Sequence, residues 1–95
     1  MRASEADVSV ENDVVQLFAA AGPVDIVIAN AGAAESAPIT RTSIDVWQQM
    51  MAVNLTGVFL TLREGVRQLE GRGWGRLITV ASTAGLRGYA YVSAY

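Results

Sequence analysis

Hydrophobic and polar positions alternate along the chain in a pattern that predicts helix, strand, helix, strand. Val10, Val14, Leu17, Phe18 and Ala21 fall at i, i+4, i+7, i+8 and i+11, the spacing of one buried helix face, with Ser9 placed to cap it. Gly22-Pro23 stops that helix, because glycine tolerates a left-handed backbone and proline cannot continue the turn. Val24-Asp25-Ile26-Val27-Ile28-Ala29 follows, short, β-branched and almost continuously apolar, the pattern of a parallel strand covered on both faces. Asn30-Ala31-Gly32 ends it, and Ala33 to Arg41, with Pro38 inside, reads as loop.

A long helical pattern then starts at Thr42, where Asp45 three residues on makes a variant capping box. Its stripe runs through Ile44, Trp47, Met51, Val58, Leu62, Val66 and Leu69 in steps of three and four, provided that Asn54 is counted in. Glycines at 71, 73 and 75 end it, and Arg76-Leu77-Ile78-Thr79-Val80-Ala81 is the second strand. Ser82-Thr83-Ala84-Gly85 closes that strand, and Leu86 to Ser93 is a further loop. A helix of this length between two strands is the crossover of a parallel sheet. The expected class is therefore α/β: a partial Rossmann-type, doubly wound parallel sheet. Two strands leave open edges and an uncovered face, so residues 1–95 are expected to form one incomplete domain.

Composition narrows the chemistry. The 95 residues are 52% apolar and carry seven arginines against nine acids, a net charge of −2 that gives no basic surface for nucleic acid. Cysteine, histidine and lysine are all absent, which excludes disulfides, Cys/His zinc sites, Schiff-base lysines and Ser-His-Asp triads. Acid–base work falls to carboxylates or tyrosines. The polar start Met1-Arg2-Ala3-Ser4-Glu5 lacks the apolar core of a secretory signal, and the greasiest stretch, Val53 to Leu62, is far short of the ~20 residues of a membrane helix. The expected location is the cytoplasm, with no membrane partner.

Three polar positions stand out. Asn30 and Ser82 end the two strands, where ligands of open α/β sheets bind, and neighbouring strands would put both on one crevice. A plainer account is also open, with Asn30-Ala31-Gly32 a positive-φ turn and Ser82-Thr83 making local backbone bonds. Asn54 lies on an otherwise apolar stripe, so its amide must find partners, either at a kink or helix contact or in a polar cavity beneath the crevice. Two motif matches are set aside. Asn54-Leu55-Thr56 is a glycosylation sequon placed mid-helix, and Gly71-x-Gly73-x-Gly75 precedes a strand where a phosphate loop would follow one.

Taken together, Asp7-Val8, Asn30-Ala31-Gly32, Val53-Asn54-Leu55-Thr56-Gly57, Ala81-Ser82-Thr83-Ala84-Gly85 and Tyr95, thirteen positions after Ser82, resemble the middle of a short-chain dehydrogenase/reductase in order and spacing. The likeness covers essentially the whole chain. The tracts Gly32 to Pro38 and Gly73 to Tyr95 are most similar to bacterial 3-hydroxyacyl-CoA and 3-hydroxybutyrate dehydrogenases of that family.

The resemblance implies hydride transfer between NAD or NADP and a small carbonyl or alcohol substrate, by a homo-oligomer. It implies Tyr95 as general acid/base, Ser82 orienting the substrate oxygen and Asn54 holding a water of the proton relay. Asp7 and Val8 would contact adenine, while Asn30, Ala31 and Gly32 would line the ribose side. Ser36, Leu86, Tyr89 and Tyr91 are further candidates for the substrate pocket. The family's opening strand and glycine-rich phosphate turn would precede Met1, and its lysine would follow Tyr95 by four positions. A free tyrosine titrates near pH 10, and that lysine and the cofactor supply the positive charge for base work near neutrality. The 95 residues alone are therefore expected to be inactive, and the alternative is a chain that only pairs with a full-length relative through its long helix.

Overall fold

The computed structural model describes residues 1–95. Helix α1 spans Glu11–Ala21, strand β1 Ile26–Ala29, helix α2 Ile44–Met51, helix α3 Val58–Leu69 and strand β2 Arg76–Thr79. Between α2 and α3 the backbone winds through a six-residue π-helical turn, Ala52–Gly57, and stays right-handed at both junctions, so one helix runs from Ile44 to Leu69. Short 3₁₀ turns occupy Ile39–Arg41 and Thr83–Gly85. The long helix, about 39 Å at 1.5 Å per residue, draws the molecule out to 47 × 25 × 23 Å.

The two strands pair in parallel with Ile26 opposite Arg76 and Ala29 opposite Thr79, as the crossover pattern requires. Both are shorter than their apolar runs. On one sheet face, Val27 joins Val14, Phe18 and Leu60 in the buried core, with Val8 and Val24 packed around it. The opposite face is bare: Ile28 is 57% and Val80 56% exposed, with Ile26 and Ile78 beside them. The expectation of strands covered on both faces does not hold for these residues.

Two caps differ from the expected ones. Ser9 does not cap α1. Its backbone N–H and its hydroxyl both donate to Asp7 Oδ1, at 2.9 and 2.6 Å, and Val10 takes the N-cap position without a side-chain bond. At the second helix the cap is Ser43, whose Oγ accepts from Val46 N–H at 3.2 Å, while the Thr42 hydroxyl donates to the Pro38 carbonyl. Gly22, at φ 72°, ends α1 in the left-handed region as expected.

The stripe on the long helix also differs. Met50, Gly57, Leu60, Glu64 and Gly65 are buried, whereas Ile44, Trp47 and Val66 face solvent. Gly65 lets α3 approach the sheet, since a Cβ there would lie 2.6 Å from Leu77 Cδ2 and 3.3 Å from Val27 Cγ2. Glu64 is only 8% exposed and is neutralised by Arg67 at 2.7 Å and Arg63 at 3.2 Å. Arg63 also reaches Glu11 on α1 and so ties the two helices together. This pairing is what allows a carboxylate to occupy a core-facing position.

Candidate functional site

The site starts from the parallel pairing of β1 and β2. Because both strands run the same way, the chain leaves both at the same edge, and the residues after Ala29 and after Thr79 emerge side by side. A cavity of about 380 Å³ opens there. Asn30, Ala31, Gly32, Asn54, Ser82 and Tyr95 all line it, with Ala33, Ala34, Val80, Ala81 and Gly85. Six of the eight residues expected to act in catalysis or cofactor binding thus meet at one place, although 65 positions separate Asn30 from Tyr95.

Asn54 is held most firmly. Its Oδ1 accepts from Ala33 N–H at 2.9 Å and its Nδ2 donates to the Ala33 carbonyl at 2.8 Å, so the amide pairs with a backbone residue as a strand would. Nδ2 also lies 3.8 Å from Met50 Sδ. Both accounts of Asn54 therefore apply: it stands in an irregular π turn, and its amide faces the cavity while clasping the loop that forms the cavity wall. One Oδ1 lone pair is left over.

Ser82 accepts from Ala84 N–H at 3.2 Å, which occupies an acceptor position on its oxygen and leaves its O–H free to donate. The local backbone bond expected of Ser82 and its place on the crevice thus coexist. Neither Asn30 nor Gly32 has a positive φ, so the turn after β1 is not explained by left-handed geometry. Tyr95 is 42% exposed, and its hydroxyl bonds to no protein group.

A second cavity of about 200 Å³ adjoins the first, sharing Asn30 and Ala31 with it. Its walls are largely apolar: Val8, Leu17, Ile28, Ala29, Gly57 and Val58, with Thr61. The pair therefore offers a more polar compartment beside an apolar one. Val8 is on the apolar wall, but Asp7 lines neither cavity. Asp7 Oδ1 is taken up by the Ser9 hydroxyl and the Ser9 N–H, which together hold its carboxyl below the usual carboxylate value.

The residues expected from the loops to line a substrate pocket do not reach it. Ser36, Leu86, Tyr89 and Tyr91 are absent from the cavity wall. Tyr89 instead contacts the Thr83 hydroxyl at 3.3 Å and accepts from Arg87 Nε at 2.9 Å, and these two neighbours lower its pKa from the ordinary tyrosine value. Tyr91 adopts φ 64°, where its carbonyl accepts from Ala37 N–H. Conversely, Ala33 and Ala34 line the cavity with no residue-level signal to single them out, and Gly85 does so having entered only as the end of the Ala81-to-Gly85 motif. Ala33 acts through its backbone, which no side-chain pattern announces.

No helix is long and apolar enough to cross a membrane, and no cluster of His, Cys, Asp and Glu is arranged to hold a metal ion.

Comparison with known proteins identifies the family and the fold. A short-chain dehydrogenase/reductase of Hericium erinaceus, eriH, is 41% identical over 87 residues, covering 90% of this chain and 34% of its own length. The D-beta-hydroxybutyrate dehydrogenase of Rhizobium meliloti is 36% identical over 74 residues, 78% of this chain and 29% of that protein. The chain spans about a third of the length of these relatives. Among solved structures, ElxO with NADP bound superposes with a TM-score of 0.90 over 97% of this chain and 39% of its own, at 23% identity, which establishes the shared Rossmann-like fold. The family model described as short chain dehydrogenase matches residues 1–95, and the chain belongs to the short-chain dehydrogenase/reductase family.

Proposed function

We propose that these residues are the central part of a single Rossmann-type domain in an NAD(P)-dependent oxidoreductase acting on a carbonyl or alcohol, with a 3-hydroxyacyl or similar short-chain hydroxy compound as substrate. One observation carries the reading: Asn54, Ser82 and Tyr95 line a single cavity at the carboxyl edge of a parallel sheet. Similarity to a D-beta-hydroxybutyrate dehydrogenase supports the substrate class.

When bound, the nicotinamide supplies a hydride to the carbonyl carbon or accepts one from the alcohol. The chain's own part is to govern the oxygen. Ser82, with its oxygen already accepting from Ala84, donates its hydroxyl hydrogen to the substrate oxygen and orients it. Tyr95 gives its phenolic proton to that oxygen during reduction and takes it back during oxidation. Asn54 holds a water through the remaining Oδ1 lone pair, and that water returns the proton to Tyr95. Asn30, Ala31 and Gly32 receive the ribose side and Val8 faces the aromatic end, while Asp7, outside both cavities, holds the turn that carries Val8. Such an enzyme is a cytoplasmic homo-oligomer.

The test uses the protein expressed with its own flanking coding sequence, with NADH or NADPH consumption followed on acetoacetate and related 3-oxo compounds. Tyr95→Phe is expected to lower turnover by about 10²–10⁴-fold, the usual weight of a general acid, while nucleotide binding followed by fluorescence stays within about twofold. Turnover close to that of the unaltered protein would refute the role given to Tyr95.

A second reading rests on the exposed Ile44, Trp47 and Phe59 of the long helix. In it, the 95-residue chain binds no nucleotide and pairs with a full-length relative. Co-purification with that relative, together with no saturable NADH or NADPH binding, would favour it.

A further inference from the structure

We infer that Gly57 is a positioning residue for the apolar compartment: it keeps Val8 seated as the wall that receives the aromatic end of the dinucleotide, an inference that rests on the nucleotide reading above. Gly57 is buried and ends the π-helical turn. A Cβ there would lie 2.8 Å from Val8 Cγ2, 3.2 Å from Val8 Cβ and 3.2 Å from the Val8 carbonyl oxygen. Side chain and backbone of Val8 both stand in the way, so rotating one side chain does not make the room. The backbone of Val8 has little freedom to retreat. On its N-terminal side, Asp7 N–H donates to Asp13 Oδ2 at 3.0 Å. On its C-terminal side, Ser9 is bonded to Asp7 Oδ1 and Val10 N–H to the Asp7 carbonyl.

Gly57 and Val8 face each other across the wall of the 200 Å³ cavity, and Asn54, three residues earlier in the same turn, stands on the wall of the larger one. One irregular turn therefore sets both compartments, with a side chain at one end and the lack of a side chain at the other. A methyl group at 57 forces the Val8 side chain out of its seat and strains the bonded turn behind it, which reshapes the apolar compartment, whereas Ser82 and Tyr95 line only the other cavity.

The experiment compares Gly57→Ala, Val8→Ala, Gly57→Ala/Val8→Ala and Gly65→Ala in the protein with its flanking sequence, using NADH, NADPH and ADP as probes. For Gly57→Ala, Kd and KM for the dinucleotide, and Kd for ADP, should rise about tenfold, with kcat at saturation within about twofold. Val8→Ala added to it should recover part of that loss, because removing Cγ2 takes away the 2.8 Å contact. Gly65→Ala, which meets Leu77 and Val27 and lines neither cavity, should lower the melting temperature without changing Kd. The inference is overturned by an unchanged Kd in Gly57→Ala, by losses that simply add in the double variant, or by a fall in kcat with KM unaltered. If Gly57→Ala does not fold, adding Val8→Ala must restore folding, and failure to restore it overturns the inference. An unaltered protein that binds neither NADH nor NADPH refutes the nucleotide reading and this inference with it, whereas normal binding insensitive to position 57 refutes this inference alone.

Discussion

Replacing Asn54 by aspartate should turn a pH-indifferent clasp into one that opens as the pH rises. The native amide makes two bonds to Ala33, at 2.9 and 2.8 Å, in a half-buried setting. At about 0.5–1.5 kcal/mol net for each bond, deleting both through Asn54→Leu should lower stability by about 1–3 kcal/mol at every pH. In Asn54→Asp, the protonated carboxyl still accepts from Ala33 N–H and donates to the Ala33 carbonyl, so it mimics the amide. Once ionised, it loses the donor and sets a charge against a carbonyl oxygen.

The folded state therefore favours the protonated form and raises the pKa of the new carboxyl above its unfolded value of about 3.9. A raised acid pKa means that the folded protein binds more protons, so this contribution is fully present below the unfolded value and is lost as the pH climbs through the folded one. Urea titrations between about pH 3.5 and 7 should show the aspartate variant close to the native protein at the acid end and at least as weak as the leucine variant at neutrality. Hydrogen exchange at the Ala33 amide should quicken in parallel. A constant gap between the aspartate and leucine variants across that range would refute the clasp.

Two further expectations follow from contacts elsewhere. Gly65→Ala forces a methyl into Leu77 and Val27, and overpacking of this kind should cost about 1–3 kcal/mol in a urea melt. Asp7, whose carboxyl is held low by the Ser9 hydroxyl and then the Ser9 N–H, adds stability that is present above the ordinary carboxylate value and fades as the pH falls through its lowered one. Asp7→Asn should accordingly flatten the acid limb of the stability curve, and an unchanged limb would count against the bond.

The element order and the pairing of the strands were legible because they depend on long runs of one hydrophobic period, which neighbouring residues reinforce. The helix caps were not, since Thr42 and Ser43 are both competent and a one-residue shift decides between them. The stripe on the long helix failed for a different reason. Ile44 and Trp47 already face solvent ahead of the π turn, and Met50, Gly57 and Glu64 keep a seven-residue spacing through it, so the buried face lies beside the apolar stripe from the start. The face that is buried includes Gly57, Glu64 and Gly65, and none of these has an apolar side chain to signal it. At the site, Asn30, Asn54 and Ser82 could be suspected as polar groups in awkward places, whereas Tyr95 had no local signal and depended on its spacing from Ser82 within a familiar pattern. Gly57 conveys its importance only through the atom it lacks.

The uncovered side of the sheet has a practical consequence. Ile26, Ile28, Ile78 and Val80 form a waxy strip open to water, and strips of this sort attract environment-sensitive dyes, chaperones and each other. Purified alone, the 95 residues should brighten anilinonaphthalene sulfonate and scatter light as their concentration rises, and a protein segment that covers the strip should lower both signals.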